Sequence, residues 1–159
     1  MWLALSGLVI VLDAGTKLLA LRHLDLHQPI VAIDGLLNWT LVYNPGAAFS
    51  FLSDASGWQR WFFSLLAVGI SAILVVWLQR TRRGDWRQAV PYALVIGGAI
   101  GNLIDRLVHG HVIDFIDVYL GTHHWPAFNI ADSAVVGGAI GVALVGLLGK
   151  RGEAGSGKP

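Results

Sequence analysis

Four stretches of this chain are each long and apolar enough to cross a bilayer, which limits its fold more than any other feature. A spanning helix needs about 20 mostly apolar residues. The stretches run from about Trp2 to Leu21, Trp58 to Leu78, Val90 to Val108 and Phe128 to Leu148. Pro91 is tolerable if it falls in a first helical turn. Composition agrees: 55% of residues are hydrophobic and 13% charged, where soluble domains run near a quarter charged. The expectation is a single integral-membrane domain over 1–159, an all-α membrane protein with four transmembrane helices. An outer segment at about 22–57 and a tail at 149–159 complete it. The first stretch is not expected to be a cleaved signal peptide. It lacks a basic start and a small-x-small cleavage site, and its apolar run carries Asp13 and Lys17.

Charge orients the bundle. Arg80, Arg82, Arg83 and Arg87 lie between stretches two and three, and Lys150, Arg151 and Lys158 follow stretch four. Arg22 is the one basic residue of 22–57, and 109–127 has no Lys or Arg. The positive-inside rule puts the arginine loop and both termini in the cytoplasm and the two polar segments outside. Trp58, Trp61 and Trp125 fit an outer aromatic belt, and Trp77 and Trp86 an inner one. Within 24–57, "PIVAIDGLLNWTLVYN" joins β-branched and aromatic residues to turn formers at Pro29, Asp34-Gly35 and Asn44-Pro45-Gly46. This predicts short strands and a small sheet on the outer membrane surface, between helices one and two. "GGAIG" occurs at 97–101 and 137–141, each with Gly at i and i+4, a spacing that lets helices three and four approach closely.

The polar residues of the apolar stretches share one depth. At 1.5 Å per residue, Asp13 and Lys17 fall beyond the midpoint of helix one, four apart on one face. Asn102, Asp105 and Arg106 fall in the outer half of helix three, Asp132 in the first two turns of helix four, and Asp114 just past helix three. An ionisable residue at mid-bilayer costs at least ~2.5 kcal/mol and is a functional candidate by default. Blander readings stay open. Asp13 with Lys17, or Asp105 with Arg106, can neutralise each other and fix helix register. Asn44 and Asn129 suit a turn or a helix cap. Asp114 and Asp132 have no basic residue in their own segments. Two carboxylates a few Å apart cannot both ionise, so such a pair holds one proton. Its ionised member can deprotonate a water and its protonated member can donate to a carbonyl oxygen. Asp117 is read as capping a turn or facing water, not as a third catalyst.

Other chemistries fit less well. The chain has no cysteine, so it has no disulfide, thiol nucleophile or thiolate metal site. Its net charge of +1 gives no electrostatic case for nucleic acid. There is no HExxH and no GxSxG. His109, His111 and Asp114, with His123-His124, can be drawn as metal ligands. Adjacent histidines in a surface loop are more often solvated, and neither metal nor cofactor is expected. A small transporter or proton-coupled channel subunit is the alternative from another class. An ion path needs polar groups from face to face, and the inner halves of all four stretches are apolar.

"DAGTK" at 13–17, "YNPGAAFSFL" at 43–52, "GGAIGNLIDRL" at 97–107, "HVIDFID" at 111–117 and "PAFNIADS" at 126–133 together resemble signal peptidase II, the lipoprotein signal peptidase family. The match covers nearly the whole chain in order. Ala14 and Gly15 stand where bulkier residues are expected, and neither carries chemistry. The resemblance implies an aspartic peptidase of the bacterial inner membrane, with its active site near the periplasmic face. It implies cleavage of prolipoproteins before a cysteine that carries diacylglycerol, and sensitivity to globomycin-type cyclic depsipeptides. The family's catalytic pair falls on Asp114 and Asp132. Its supporting residues fall on Asp13, Lys17, Asn44, Gly46, Asn102, Asp105, Arg106 and Asn129. A substrate half in the membrane explains why acids gather at its edge. A non-catalytic lipoprotein-binding scaffold is separable only by assay.

Overall fold

The structure, a computed structural model, describes residues 2–46 and 57–154, with side chains through residue 147 in the last helix. The end of "YNPGAAFSFL" and Lys158 lie outside the described residues. Four helices form: α1 Leu3–His23, α2 Trp58–Arg80, α3 Trp86–Val108 and α4 Ile130–Ala154. Strands β1 Ile30–Ile33, β2 Leu37–Asn44, β3 Val112–Leu120 and β4 His123–His124 form one antiparallel sheet in chain order.

α3 is the centre of the bundle and packs against each of the other three helices. Its buried face is rich in small residues, among them Ala89, Ala93, Gly97, Gly98 and Gly101. In the first copy the expected i, i+4 pair, Gly97 and Gly101, makes its closest approach to α1 and not α4: a Cβ on Gly101 would lie 2.9 Å from Asp13 Oδ2. A Cβ on Gly97 would sit 2.8 Å from Ser6 O of α1, and one on Gly98 would strike Ala131 O of α4. In α4, Gly138 and Gly141 press on Pro91, with Cβ contacts of 2.7 Å to its carbonyl and its ring, while Gly137 has open space. The first "GGAIG" therefore serves two helix interfaces, one to α1 and one to α4.

Among the described residues three helices are long and apolar enough to cross a membrane: Leu3–His23, Trp58–Arg80 and Ile130–Leu147. α3 falls short because of its polar residues. A central helix tolerates them, since Asn102 and Asp105 turn inward and are buried. The outer helices instead expose apolar side chains such as Val11, Leu65 and Leu147, a surface suited to hydrocarbon. Pro91 is not in a first turn. Asp85 caps α3 by accepting from Gln88 N, so the helix starts at Trp86 and Pro91 falls in its second turn.

The sheet departs from expectation. Strands do form in the segment after α1, but β3 and β4 come from 109–127, read from sequence as a polar loop. "VIDFIDVYL" has the β-branched and aromatic content of a strand, and its two aspartates hid that. β3 pairs with β2 through Leu37↔Val118, Trp39↔Ile116, Val42↔Asp114 and Asn44↔Val112. The register slips between Trp39 and Val42. That extra residue switches which face of the sheet β2 side chains occupy.

Candidate active site

The sequence "NIAD" builds the start of α4 by itself. Asn129 is the cap: its Oδ1 accepts from Asp132 N at 2.8 Å, and Asp132 Oδ2 accepts from Asn129 N at 3.3 Å. This is the reciprocal logic of a capping box, with Asn and Asp as the two members. It fixes Asp132 on the first turn, where free backbone N–H groups favour negative charge. Another free donor of that turn, Ala131 N, bonds Asp13 Oδ1 of α1 at 2.9 Å.

Asn129 also reaches the other aspartate. Its Nδ2 donates to Asp114 Oδ1 at 2.7 Å and contacts Ile113 O and Asn102 Oδ1 at 3.2 Å each. Asp114 Oδ2 accepts from Asn44 Nδ2 at 2.9 Å. Asn102 Nδ2 donates to Asp132 Oδ1 at 2.7 Å. One asparagine thus joins Asp114 to Asp132, and one more side chain braces each acid. Asp114 is 1% exposed. That burial, and then the negative charge of Asp132, lifts its pKa to about 7, against the opposing pull of Asn44, Lys17 and Asn129.

Lys17 holds the layer beneath. Its Nζ lies 2.6 Å from Asp13 Oδ2, 2.7 Å from Asp105 Oδ2 and 3.1 Å from Asn102 Oδ1. Asp105 Oδ2 also accepts from Ile113 N at 3.1 Å, tying α3 to β3 one residue before Asp114. Asp105 therefore pairs with Lys17, not with its neighbour Arg106. The Arg106 guanidinium lies over the Phe63 ring at 5.3 Å and donates to Asn102 O at 3.3 Å. It is within electrostatic reach of Asp132, Asp114 and Asp105. Gly46 N donates to Asn44 Oδ1 at 2.9 Å, an Asx-type turn that aims the Asn44 amide. Gly46 has φ +105°, and a Cβ there would lie 2.8 Å from the Phe63 ring, so a side chain is excluded on both counts. All ten residues singled out from the sequence lie in this one linked assembly. A cleft of about 160 Å³ between Val42–Pro45 and Pro126–Ala127 opens onto Asp114.

A family model described as signal peptidase (SPase) II matches residues 5–148. The chain belongs to the signal peptidase II family. It is 67% identical over 151 residues to a lipoprotein signal peptidase of Xanthomonas campestris pv. campestris (strain 8004), spanning 94% of this chain and 90% of that protein. A lipoprotein signal peptidase of Xylella fastidiosa (strain 9a5c) is 58% identical over 146 residues, 92% of this chain and 87% of that one. A solved structure of a bacterial membrane enzyme, 30% identical, superimposes with a TM-score of 0.82 over 99% of this chain and 93% of its own.

Two features of this signal peptidase II chain escaped the sequence. Asp117 neither caps a turn nor faces water: it is 8% exposed. It accepts from Asn38 Nδ2 at 2.9 Å, and His124 Nδ1 lies 2.8 Å away. Three residues along a strand puts Asp117 on the opposite face from Asp114, which keeps it out of the polar assembly. His124 stacks on Tyr119 with ring centroids 5.0 Å apart, so the histidine pair is partly structural. The second feature is Arg60, whose Nη2 donates to Leu107 O at 3.0 Å and whose guanidinium lies 5.1 Å from the Trp61 ring centroid. Strand alternation in 112–120 would have revealed the first. No local signal marks the second. Among the described residues no group of three His, Asp or Glu is arranged to hold a metal.

Proposed function

We propose that this chain is an intramembrane aspartic endopeptidase that removes the signal peptide from bacterial prolipoproteins, cutting before a diacylglyceryl-modified cysteine. The observation that carries the proposal is the Asp114–Asn129–Asp132 linkage, with Asp114 buried and lifted to about 7. Below about pH 7 Asp114 holds the shared proton. Asp132, on a helix N-terminus, takes a proton from the attacking water. The hydroxide adds to the scissile carbonyl as Asp114 donates its proton to the carbonyl oxygen, giving a neutral gem-diol. On collapse Asp132 gives its proton to the leaving nitrogen, and Asp114 recovers one from a gem-diol hydroxyl. Asn44 and Asn129 orient Asp114, Asn102 and Asn129 orient Asp132, and Arg106 offsets the negative charge. Asp13, Lys17 and Asp105 hold the helices beneath, and Gly46 shapes the approach. No metal or cofactor takes part in these steps.

All four helices cross the inner membrane in this reading, α3 inside the bundle. The termini and Arg80–Arg87 are cytoplasmic and the dyad lies near the periplasmic face. Globomycin-type depsipeptides would occupy the dyad. A cysteine introduced at Gly84 is expected to resist impermeant thiol reagents in cells whose inner membrane is intact. Labelling there would reverse the orientation.

The deciding experiment incubates purified protein with lipidated prolipoprotein. A shortened product is expected, undiminished by chelators. Each buried CH₂ is worth roughly 0.8 kcal/mol, so the unlipidated precursor should react far more slowly; equal rates would contradict the substrate assignment. The pH dependence has a definite sign. Asp114 must be protonated, so kcat/KM should fall above about pH 7, approaching tenfold per unit, as the pair loses its proton. A rate still rising at pH 9 would contradict these roles.

A further inference from the structure

The opposite end of the bundle carries a second candidate site. α1 and α2 both pack on α3 and, among the described residues, do not pack on each other. Where the first turn of α1 faces the last turn of α2, two adjoining hollows open. One, of about 180 Å³, is walled by Trp2, Leu3, Val75 and Leu78, with Gln79 at its edge. The other, of about 430 Å³, shares Trp2, Leu78 and Gln79 and extends to Thr81 and Arg83. One end of the groove is therefore apolar and the other polar and cationic.

The polar end has donors to spare. The Trp2 indole N–H is buried without a hydrogen-bond partner among the described residues, and a buried donor left unpaired costs about 1–3 kcal/mol. Arg83 is exposed and has no ion-pair partner among the described residues. Thr81 contributes no donor, because its hydroxyl already bonds Trp77 O at 2.9 Å. Arg80, Arg82, Arg83 and Arg87 lie in or beside this short connection with a single acid, Asp85, whose carboxylate accepts from Gln88 N.

An apolar channel ending in a cationic, donor-rich mouth has the shape and charge of one lipid. We propose that this groove binds an anionic phospholipid, one acyl chain lying between α1 and α2 and the phosphate held by Arg83 and the Trp2 indole. Basic pockets between helices at a cytoplasmic membrane surface select anionic headgroups in this way. The chain fills a wall that no described protein element covers. The headgroup ties the start of α1 to the end of α2.

The test titrates the purified full-length protein in detergent with dioleoylphosphatidylglycerol. Retained lipid is read by native mass spectrometry and stabilisation by melting temperature. Parallel arms use dioleoylphosphatidylcholine and inorganic phosphate. Arg83→Gln should weaken phosphatidylglycerol binding about five-fold, one basic residue's share at a membrane surface. Arg87→Gln removes the same charge from the neighbouring first turn of α3, but Arg87 lies by Trp86, 5.9 Å from its ring, and outside the groove; its effect should stay within about two-fold. Leu3→Trp, at an exposed position, should fill the channel and exclude the lipid without harming the fold. Equal weakening by Arg83→Gln and Arg87→Gln would overturn the proposal, since diffuse surface charge would then explain the binding. Equal retention of phosphatidylcholine, or equal stabilisation by inorganic phosphate, would overturn it as well.

Discussion

Asp114→Asn and Asp132→Asn are each expected to lower turnover of lipidated prolipoprotein by at least about 10³-fold, with the double variant no slower than either single one. General acid–base catalysis by one group contributes about 10² to 10⁴. In the proposed mechanism both groups act on the same water and carbonyl, so losing one removes the function of both. The substitutions must be shown to fold, because they also touch the asparagine network. Asp114 accepts through both oxygens, from Asn129 at 2.7 Å and from Asn44 at 2.9 Å; an asparagine there keeps one acceptor. Asp132 likewise loses one of its bonds to Asn102 and Asn129 N. The pH dependence of stability supplies a check. Between the ordinary carboxylate range and about pH 7 the folded chain keeps the Asp114 proton that the unfolded chain has lost. Stability should therefore fall as pH rises through that window. Asp114→Asn should remove that slope while remaining folded. Near wild-type turnover by either folded single variant would refute the aspartic mechanism.

The helices and the candidate residues were legible in the sequence for different reasons. α1, α2 and α4 announce themselves by long apolar runs. α3 is legible by length and small residues, and its polar positions make sense once it is central. The grouping of Asp13, Lys17, Asn102, Asp105 and Asp132 near one end of the bundle followed from rise per residue on helices that alternate in direction. Asn129 was ambiguous between a helix cap and a partner of the acids, and its side chain makes both contacts: Oδ1 caps the helix and Nδ2 bonds Asp114. What stayed hidden depends on pairing between distant segments. β3 was masked by Asp114 and Asp117, whose opposite faces follow only once 112–120 is read as a strand. The β2 slip between Trp39 and Val42 decides that Asn38 meets Asp117 while Asn44 meets Asp114. The two asparagines are six apart, and simple alternation would put them on one face. Lys17 binding Asp105 of another helix, in addition to Asp13, depends on how α1 lies against α3.

Lys17→Met is expected to destabilise the protein by roughly 3–5 kcal/mol, the cost of breaking a buried ion pair by removing one partner. Lys17 is 2% exposed, and its ammonium sits between Asp13 and Asp105, themselves 1% and 7% exposed. Without it two buried carboxylates share one polar layer uncompensated. Each also anchors a backbone N–H, Ala131 N on Asp13 and Ile113 N on Asp105, so the strain passes to α4 and β3. Lys17→Met/Asp13→Asn/Asp105→Asn removes the charges together while each amide oxygen can still accept from its backbone N–H. It should recover more than half of the lost stability, because deleting a whole buried ionic group is far cheaper than deleting part of it. Melting temperature and detergent-soluble yield measure both variants, and a Lys17→Met protein as stable as wild type would show that the layer is not held by this charge. A readout on activity separates electrostatics from packing. Lys17 is one of the groups that hold the Asp114 pKa down, so in folded Lys17→Met the alkaline limb of kcat/KM should move to higher pH. A purely structural lysine would lower the rate without moving that limb.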